Sequence, residues 1–182
     1  MHPSVPAVLI RLLFYPTLAW NVLLGRVLRV RHWYDRVDDR VLLGALPFAS
    51  DVERLRAQGV AAVVNTCVEY AGPIAAYEQH GIVQLHVPTL DFTPPSLEDV
   101  ESALAFMREF VARGDDVYVH CKAGRGRSAT IVMCWLMVER GMSPAEAQRH
   151  LVAKRPHVNR GLEHRAVVQD LWRRLSGGAV LV

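Results

Sequence analysis

The chain has 182 residues, of which 51% are hydrophobic and 21% charged, and this size favours one well-buried domain with an appendage over two domains of ordinary size. Its net charge of +3 comes from the N-terminus, because four of the 21 Lys and Arg residues precede the first acidic residue, Asp35. The remainder is close to neutral, which argues against a general nucleic-acid-binding protein, and no nucleic-acid partner is expected.

The cysteine content indicates the cellular compartment. Cys67, Cys121 and Cys134 are an odd number, lie far apart and include no Cys-x-x-Cys pair. Neither a disulfide framework nor a zinc site is therefore indicated, and no metal or cofactor is expected. A reducing, intracellular compartment fits this pattern best.

The most apolar stretch of the chain is residues 5–30, which Arg11 and Pro16 interrupt. Its longest charge-free part, residues 12–25, is short for a membrane-spanning helix, which needs roughly 20 apolar residues. The stretch also lacks the small-residue cleavage site of a secretory signal. A mitochondrial import signal is conceivable, because the segment contains Arg and no acidic residue.

Two interpretations of this stretch remain, an interfacial anchor on an anionic membrane and a helix packed on the domain. Its basic and aromatic residues favour the anchor. The anchor would place at headgroup depth or near anionic lipid the side chains of Phe14, Tyr15, Trp20, Arg26, Arg29 and Arg31. The predicted organisation is a membrane-associating segment at residues 1–32 and a folded domain at residues 33–177.

After a turn-like segment at residues 33–39, strand-like and helix-like runs alternate at the spacing of an α/β domain. Strands are predicted at residues 41–46, 60–65, 82–87 and 116–120. Helices are predicted from a capping box at Ser50, over 74–80, from Ser96 to Gly114, over 128–140, from Ser143, and over 162–175. These elements predict a mostly parallel central sheet with helices on both faces.

The strongest chemical signal is the loop from His120 to Ser128, HCKAGRGRS, which joins the last strand to a helix. This order directs backbone N–H groups and the positive end of the helix to one point, which suits a phosphate-like dianion. The glycines permit the conformations that turn successive amides inward. The predicted phosphate-binding residues are Lys122, Ala123, Gly124, Arg125, Gly126 and Arg127.

The same loop supplies a nucleophile. The field at its base should lower the thiol pKa of Cys121 and make it a thiolate ready for in-line attack on phosphorus. Arg127, at the spacing Cys-x5-Arg, can hold two phosphate oxygens with its planar fork. Ser128 can donate a hydrogen bond to the sulfur and help it leave. His120 is expected to orient the loop by hydrogen bonds rather than to act as a base.

The alternative for Cys121 is a buried structural thiol, the usual fate of a free cysteine. This alternative is disfavoured because Cys121 occurs at a strand-to-helix junction together with two glycines, Arg127 and Ser128. The structural interpretation is preferred for Cys134 and for Cys67, which is at most a redox partner of Cys121.

A leaving alkoxide needs a proton, so a general acid should reach over the loop from another segment. Asp91 is the candidate, because it follows the predicted strand 82–87 at the strand end where a parallel sheet exposes its ligands. The alternative is a turn-forming aspartate. Asp115 and Asp116 lie at the opposite strand end.

The loop and its continuation, HCKAGRGRSATIV, resemble the active-site loop of the dual-specificity cysteine-based phosphatases. FYPTL, WYDRVDDRVLLGALPFASDV, the loop with Asp91 and the SPAEA helix together resemble the mitochondrial protein-tyrosine-phosphatase family that dephosphorylates phosphatidylglycerophosphate. The resemblance runs from about Leu12 to Leu175.

The resemblance implies the cysteine-based phosphatase fold and a lipid phosphatase of phosphatidylglycerol and cardiolipin synthesis. Cys121 would be its nucleophile, Arg127 its phosphate binder and Asp91 its acid. The enzyme would work at the mitochondrial inner membrane in a eukaryote, and otherwise at the cytoplasmic membrane face. Lys122 and Arg125 would suit a headgroup with a second phosphate, and the alternative for both is solvent-facing loop charge.

One segment, residues 65–70, departs from that family's Asn-Glu-x-Tyr-Glu-like pattern, and only Asn65 and Glu69 match by position. Glu69 is expected either to pair with Arg127 or to lie on the surface. A dual-specificity protein phosphatase acting on phosphotyrosine, phosphoserine or phosphothreonine is the alternative function. A catalytically silent phosphate-binding module has no support in the sequence, and the oligomeric state is not indicated.

Overall fold

The computed structural model describes residues 7–177 of the chain, so residues 1–6 of the predicted N-terminal segment lie outside the described residues. Its strands are β1 (Tyr34–Asp38), β2 (Val41–Ala45), β3 (Val60–Cys67), β4 (Val83–Thr89) and β5 (Asp116–Cys121). Its α-helices are α1 (Ala7–Val22), α2 (Ala49–Ala57), α3 (Ile74–Gln79), α4 (Leu97–Ala112), α5 (Arg127–Glu139), α6 (Pro144–Lys154) and α7 (Ala166–Ser176).

The five strands form one sheet in the order β1-β2-β5-β3-β4. The pairs β2–β5, β5–β3 and β3–β4 are parallel, and only the edge strand β1 runs antiparallel, against β2. The predicted α/β architecture with a mostly parallel sheet is confirmed. The central position of β5 places the loop after Cys121 in the middle of the carboxyl edge, where open α/β sheets bind their ligands.

Alternation along the strands separates two apolar cores, because successive side chains point to opposite faces of a sheet. Leu42 and Tyr118 pack on one face with residues of α2 and α3. Leu43 and Val119 pack on the other face with α4, α5, α6 and α7. All residues of α5 from Arg127 to Met137 are buried, so the helix that follows the loop is held rigidly inside the larger core.

Three expectations about elements were wrong. Residues 34–38, predicted as part of a turn, form the edge strand β1, because Val37 is buried and pairing with β2 outweighs the polar composition. No capping box forms at Ser50: Phe48 is the N-cap of α2 and makes no side-chain cap, and its N–H donates to Asp51 Oδ2 at 2.9 Å. The predicted helix over 162–175 is a 3₁₀ turn followed by α7, divided at the extended backbone of Arg165.

The N-terminal segment packs on the domain through α1 and a π-helical turn, Leu23–Val27. Phe14 is buried, and Arg26 bonds to Asp51 and lies 4.2 Å from the ring centroid of Trp33. These two side chains, expected at the lipid surface, therefore contact the protein, because an aromatic pocket and a buried carboxylate offer them partners. Between residues 7 and 177, no helix has the length and apolar character required to cross a bilayer.

We predict that Gly44→Ala lowers the free energy of unfolding by about 1–3 kcal/mol, since a side chain here overpacks the core. A Cβ at Gly44 would lie 2.1 Å from Tyr118 Oη and 2.6 Å from Tyr34 Cβ. Urea denaturation measures the change. Tyr118→Phe removes one of the clashing atoms, so the double variant should lose less than the sum of the single losses. Unchanged stability in Gly44→Ala would contradict the packing described.

Candidate active site

The phosphate-binding loop connects β5 to α5, and its central group is the thiol of Cys121. The sulfur accepts hydrogen bonds from the backbone N–H of Gly124 and from Ser128 Oγ, each at 3.2 Å. The first turn of α5 begins at Arg127, so the positive end of the helix lies at the same place. The sulfur is therefore surrounded by hydrogen-bond donors and positive charge.

The surroundings of Cys121 stabilise its ionised form. Burial alone would raise the pKa of the thiol, but the Arg127 guanidinium and the hydrogen bonds from Ser128 and the loop backbone outweigh burial and lower it to about 7. A large thiolate fraction at neutral pH follows, and the thiolate is the nucleophilic form.

The other two cysteines have the opposite surroundings. Burial raises the pKa of Cys134 to about 12, and it also raises the pKa of Cys67 despite the nearby charge of Arg127. Both thiols are free and buried, and both are un-ionised at neutral pH.

The shape of the loop depends on close backbone contact with β2. Gly124 has φ +66°, and a Cβ there would lie 2.4 Å from the carbonyl oxygen of Gly44, so only glycine fits. On the other side, buried Arg155 donates to the carbonyls of Gly124 at 3.0 Å and Ala123 at 3.1 Å. The same guanidinium pairs with Asp35, which joins the loop to the start of β1.

Sequence reasoning did not find Arg155. Its neighbours Lys154 and Pro156 resemble a solvated helix end, and its partners are distant in the chain. The only signal was the family-specific WYDR element, which contains Asp35.

Arg127 is oriented by acceptors on one edge of its guanidinium. Nη1 donates to Glu69 Oε2 at 2.9 Å and to the carbonyl of Thr89 at 2.7 Å. The Glu69 side chain is only 5% exposed, so the surface alternative for it was wrong and the ion pair is present. Nε of Arg127 is buried and has no hydrogen-bond partner among the described residues, and Nη2 makes no aligned hydrogen bond there but lies at ion-pair distance from Asp91. This edge has the geometry to hold two phosphate oxygens.

Asp91 extends over the loop from the segment after β4, and it is 9% exposed. Its carboxylate accepts a bond from Lys122 Nζ, and its Oδ1 lies 3.1 Å from Arg127 Nη2. The Asp91 carboxylate therefore lies beside the loop between two cations, Lys122 and Arg127.

Lys122 faces the interior of the site. It is 7% exposed, and its Nζ bonds to Asp91 and donates to Thr17 Oγ1 at 2.8 Å. The ammonium also lies 5.4 Å from the ring centroids of Phe14 and Phe92. The solvent-facing alternative for Lys122 was therefore wrong, because Asp91 and helix α1 enclose its ammonium group.

Helix α1 forms part of this site, which the sequence analysis did not foresee. Thr17 Oγ1 accepts a hydrogen bond from the Lys122 ammonium, and Asn21 Nδ2 donates to the Lys122 carbonyl at 3.2 Å. The FYPTL element, which includes Thr17, was the available signal.

The expected role of His120 needs correction. Both ring nitrogens are buried and lack hydrogen-bond partners within residues 7–177, because β5 directs the ring into the core near Tyr118 and Tyr70. Burial, with the positive charges of Arg127 and His86, lowers the pKa of His120 to about 3 against the influence of the Cys121 backbone. The neutral ring packs in the core, and the His120 carbonyl accepts a hydrogen bond from Thr66 Oγ1 at 3.0 Å.

The loop opens into a cavity of about 440 Å³. Its lining residues include Thr17, Trp20, Asn21, Arg31, Asp91, Phe92, Thr93, Asn159 and Arg165, together with Cys121 and the loop. Trp20 and Phe92 are 60% and 71% exposed, so two aromatic rings stand beside the mouth of the cavity. Within the described residues, no three His, Cys, Asp or Glu side chains are grouped as metal ligands.

Known proteins share this chain's sequence and fold. Residues 41–173 match the family model of the dual specificity phosphatase catalytic domain. Phosphatidylglycerophosphate phosphatase PTPMT2 of Arabidopsis thaliana is 38% identical over 166 residues, covering 90% of this chain and 73% of that protein. Phosphatidylglycerophosphatase and protein-tyrosine phosphatase 1 of Mus musculus is 36% identical over 180 residues, covering 94% of this chain and 93% of that protein.

A solved structure extends the comparison. The crystal structure of PTPMT1 in complex with PI(5)P has a TM-score of 0.74 and 31% identity, and it covers 82% of this chain and 100% of that chain. Family model, relatives and fold agree with the loop, in which the Cys121 sulfur lies beside an oriented arginine. The chain therefore belongs to the dual-specificity phosphatase family, among the relatives of the phosphatidylglycerophosphate phosphatases, and is a cysteine-based phosphatase.

Proposed function

We propose that this phosphatase converts phosphatidylglycerophosphate to phosphatidylglycerol at a membrane surface, through a phosphocysteine intermediate. The observation that carries the proposal is that α1, which exposes Tyr15 and Trp20, lines the catalytic cavity through Thr17, Trp20 and Asn21. A lipid surface that contacts α1 would thus bring headgroups directly to Cys121. Two relatives, from Arabidopsis thaliana and Mus musculus, are named for phosphatidylglycerophosphate hydrolysis, which supports the same substrate.

In the first step, the loop amides and the Nε and Nη2 groups of Arg127 hold the phosphoryl oxygens of the substrate. The Cys121 thiolate attacks phosphorus in line with the leaving glycerol oxygen, so the S–P bond forms as the P–O bond breaks. The incoming phosphoryl group displaces the Asp91 carboxylate from Arg127, and the released carboxylate takes up a proton from solvent. Asp91 then protonates the leaving alkoxide, which departs as the alcohol of phosphatidylglycerol.

In the second step, water attacks the phosphocysteine and inorganic phosphate leaves. Asp91, now a carboxylate, takes the proton from this water. Ser128 donates a hydrogen bond to the departing sulfur, as it already does at 3.2 Å, and stabilises the returning thiolate. Arg127 holds the oxygens through both steps, because Glu69 and Thr89 keep its fork in one orientation.

The N-terminal segment supplies the membrane contact in this proposal. Among residues 14–30, the most exposed large apolar side chains are Tyr15 at 71%, Trp20 at 60%, Val27 at 66%, Leu28 at 56% and Val30 at 65%. Basic Arg29 and Arg31 lie among them and favour an anionic lipid surface. We place the enzyme at the mitochondrial inner membrane of a eukaryote or at the cytoplasmic membrane of a bacterium, with residues 33–177 as the catalytic domain.

The predicted nucleophile and acid can be tested separately. Cys121→Ser should reduce turnover to background while phosphate binding is retained, because the loop donors remain. Asp91→Asn should slow alkyl phosphate hydrolysis by about 10²–10⁴-fold, the usual contribution of a general acid, and aryl phosphate hydrolysis much less. Asp115→Asn, at the opposite end of β5, is the control. Equal losses on both substrate classes would refute the acid role of Asp91.

The lipid substrate is tested against the protein-phosphatase alternative, which the name of the mouse relative also suggests. Phosphate release from vesicles containing phosphatidylglycerophosphate should exceed release from phosphotyrosine and phosphothreonine peptides in kcat/KM. A tenfold preference for the peptides, a difference of about 1.4 kcal/mol, would overturn the lipid assignment.

The membrane contact is tested with a variant outside the cavity. Val27→Ser/Leu28→Ser should weaken sedimentation with anionic vesicles at least tenfold, because each fully buried Val or Leu contributes about 1.5–3 kcal/mol. Hydrolysis of a soluble aryl phosphate monitors folding of the site. Val83→Ser, at a residue 50% exposed and at the other end of the sheet, is the matched control. Equal sedimentation of both variants would count against the anchor.

A further inference from the structure

Three arginines besides Arg127 line the catalytic cavity: Arg31, Arg125 and Arg165. Within residues 7–177, none of the three has a carboxylate at ion-pair distance, whereas Arg127 and Lys122 are both paired. The cavity therefore contains positive charge that the protein itself leaves uncompensated.

Hydrogen bonds hold two of these arginines in place and leave their outer nitrogens open. Arg165 Nη1 donates to Thr130 Oγ1 at 2.6 Å and to the Gly126 carbonyl at 3.3 Å, and Arg125 Nε donates to the His157 carbonyl at 2.7 Å. The remaining guanidinium nitrogens of both residues donate to no protein acceptor among the described residues, and both residues line the cavity.

Asn159 adds a neutral donor at the same place. Its backbone N–H donates to the Arg125 carbonyl at 2.9 Å, which ties it to the loop. Its Nδ2 and the Nη2 of Arg165 lie 3.1 Å and 3.5 Å from the position that a Cβ on Gly126 would occupy. Two donors thus converge beside the phosphate-binding loop, at a glycine whose missing side chain leaves room for a ligand.

The electrostatics of this cluster are unfavourable without an anion. Burial, followed by the positive charges of Arg31 and Arg155, lowers the pKa of Arg125, and burial lowers the pKa of Arg165. Like charges in a half-buried cavity destabilise one another unless a counter-charge binds between them.

We propose that Arg31, Arg125, Asn159 and Arg165 form a second anion subsite, which binds the phosphodiester of the substrate while its phosphomonoester occupies the loop. The proposal rests on the proposed function and names the part of the headgroup that the enzyme recognises. A glycerol unit separates the two phosphates of phosphatidylglycerophosphate, which suits a subsite adjoining the loop at Gly126. Guanidinium groups bind such oxygens with paired hydrogen bonds.

This assignment changes the expectation for the loop cations. Lys122, which was expected to bind a second phosphate, bonds instead to Asp91 and Thr17. Of the two loop cations, Arg125 is the one available to bind the second phosphate. The other members come from the segment before β1 and from the region before α7, so no local motif could have grouped them.

The test compares two water-soluble substrates without acyl chains. One is glycerophosphoglycerol phosphate, which carries both the monoester and the diester, and the other is glycerol 3-phosphate, which carries the monoester alone. Wild-type kcat/KM should favour the first by at least tenfold. Arg31→Gln and Arg165→Gln should each lower this ratio by about tenfold, chiefly through KM. Arg149→Gln, an exposed arginine of α6, should leave the ratio unchanged.

A binding measurement removes catalysis from the test. Glycerophosphoglycerol, which has the diester and no monoester, should inhibit aryl phosphate hydrolysis competitively in the wild type and several-fold more weakly in Arg31→Gln. Because Arg31 is partly exposed and lies in the segment before β1, outside the loop, this variant keeps the test valid even if Arg165→Gln disturbs the loop. Unchanged ratios and inhibition in Arg31→Gln, with lipid hydrolysis intact, would overturn the subsite alone. A preference of the wild type for phosphopeptides would overturn the proposed function instead.

Discussion

The structure depends on the stabilisation of one negative charge, the thiolate of Cys121, in a buried position. Burial opposes that charge, and the Arg127 guanidinium, the Ser128 hydroxyl and the inward amides of the loop outweigh it. The same donors suit a phosphoryl group, so one set of hydrogen-bond donors can stabilise both the thiolate and a bound phosphoryl group. Central strand β5 and the buried helix α5 keep these donors fixed, as preorganised stabilisation requires.

A series of ion pairs and one hydrogen bond connects this centre to the N-terminal helix α1. Arg127 connects the loop to Glu69 and Asp91, Asp91 connects to Lys122, and Lys122 reaches Thr17 on α1. The helix proposed to contact the membrane is thus joined to the proposed acid through one lysine. In the proposed function, docking of the lipid on α1 would be coupled to the placement of Asp91, because Lys122 bonds to both Asp91 and Thr17 of α1.

The sequence was sufficient for the parts of the molecule that local patterns encode. The loop HCKAGRGRS, the parallel strands and the capped helices are local, and the family resemblance added a substrate class. Contacts between distant segments were not predictable: Arg155 meets Asp35 across 120 positions, and Thr17 meets Lys122 across 105. Such packing also buries the Lys122 ammonium and leaves the His120 ring nitrogens without hydrogen-bond partners among the described residues. Residue type alone does not reveal either outcome.

The most direct test of the central claim is the pH dependence of Cys121 alkylation by iodoacetamide, followed by mass spectrometry of the modified peptide. Only the thiolate reacts, so the rate reports the ionised fraction without any assumption about substrate. The structure predicts a rate that rises with pH through a midpoint near 7, and a higher midpoint in Arg127→Gln. A midpoint near 9, the ordinary value for a thiol, in the wild type would contradict a stabilised thiolate.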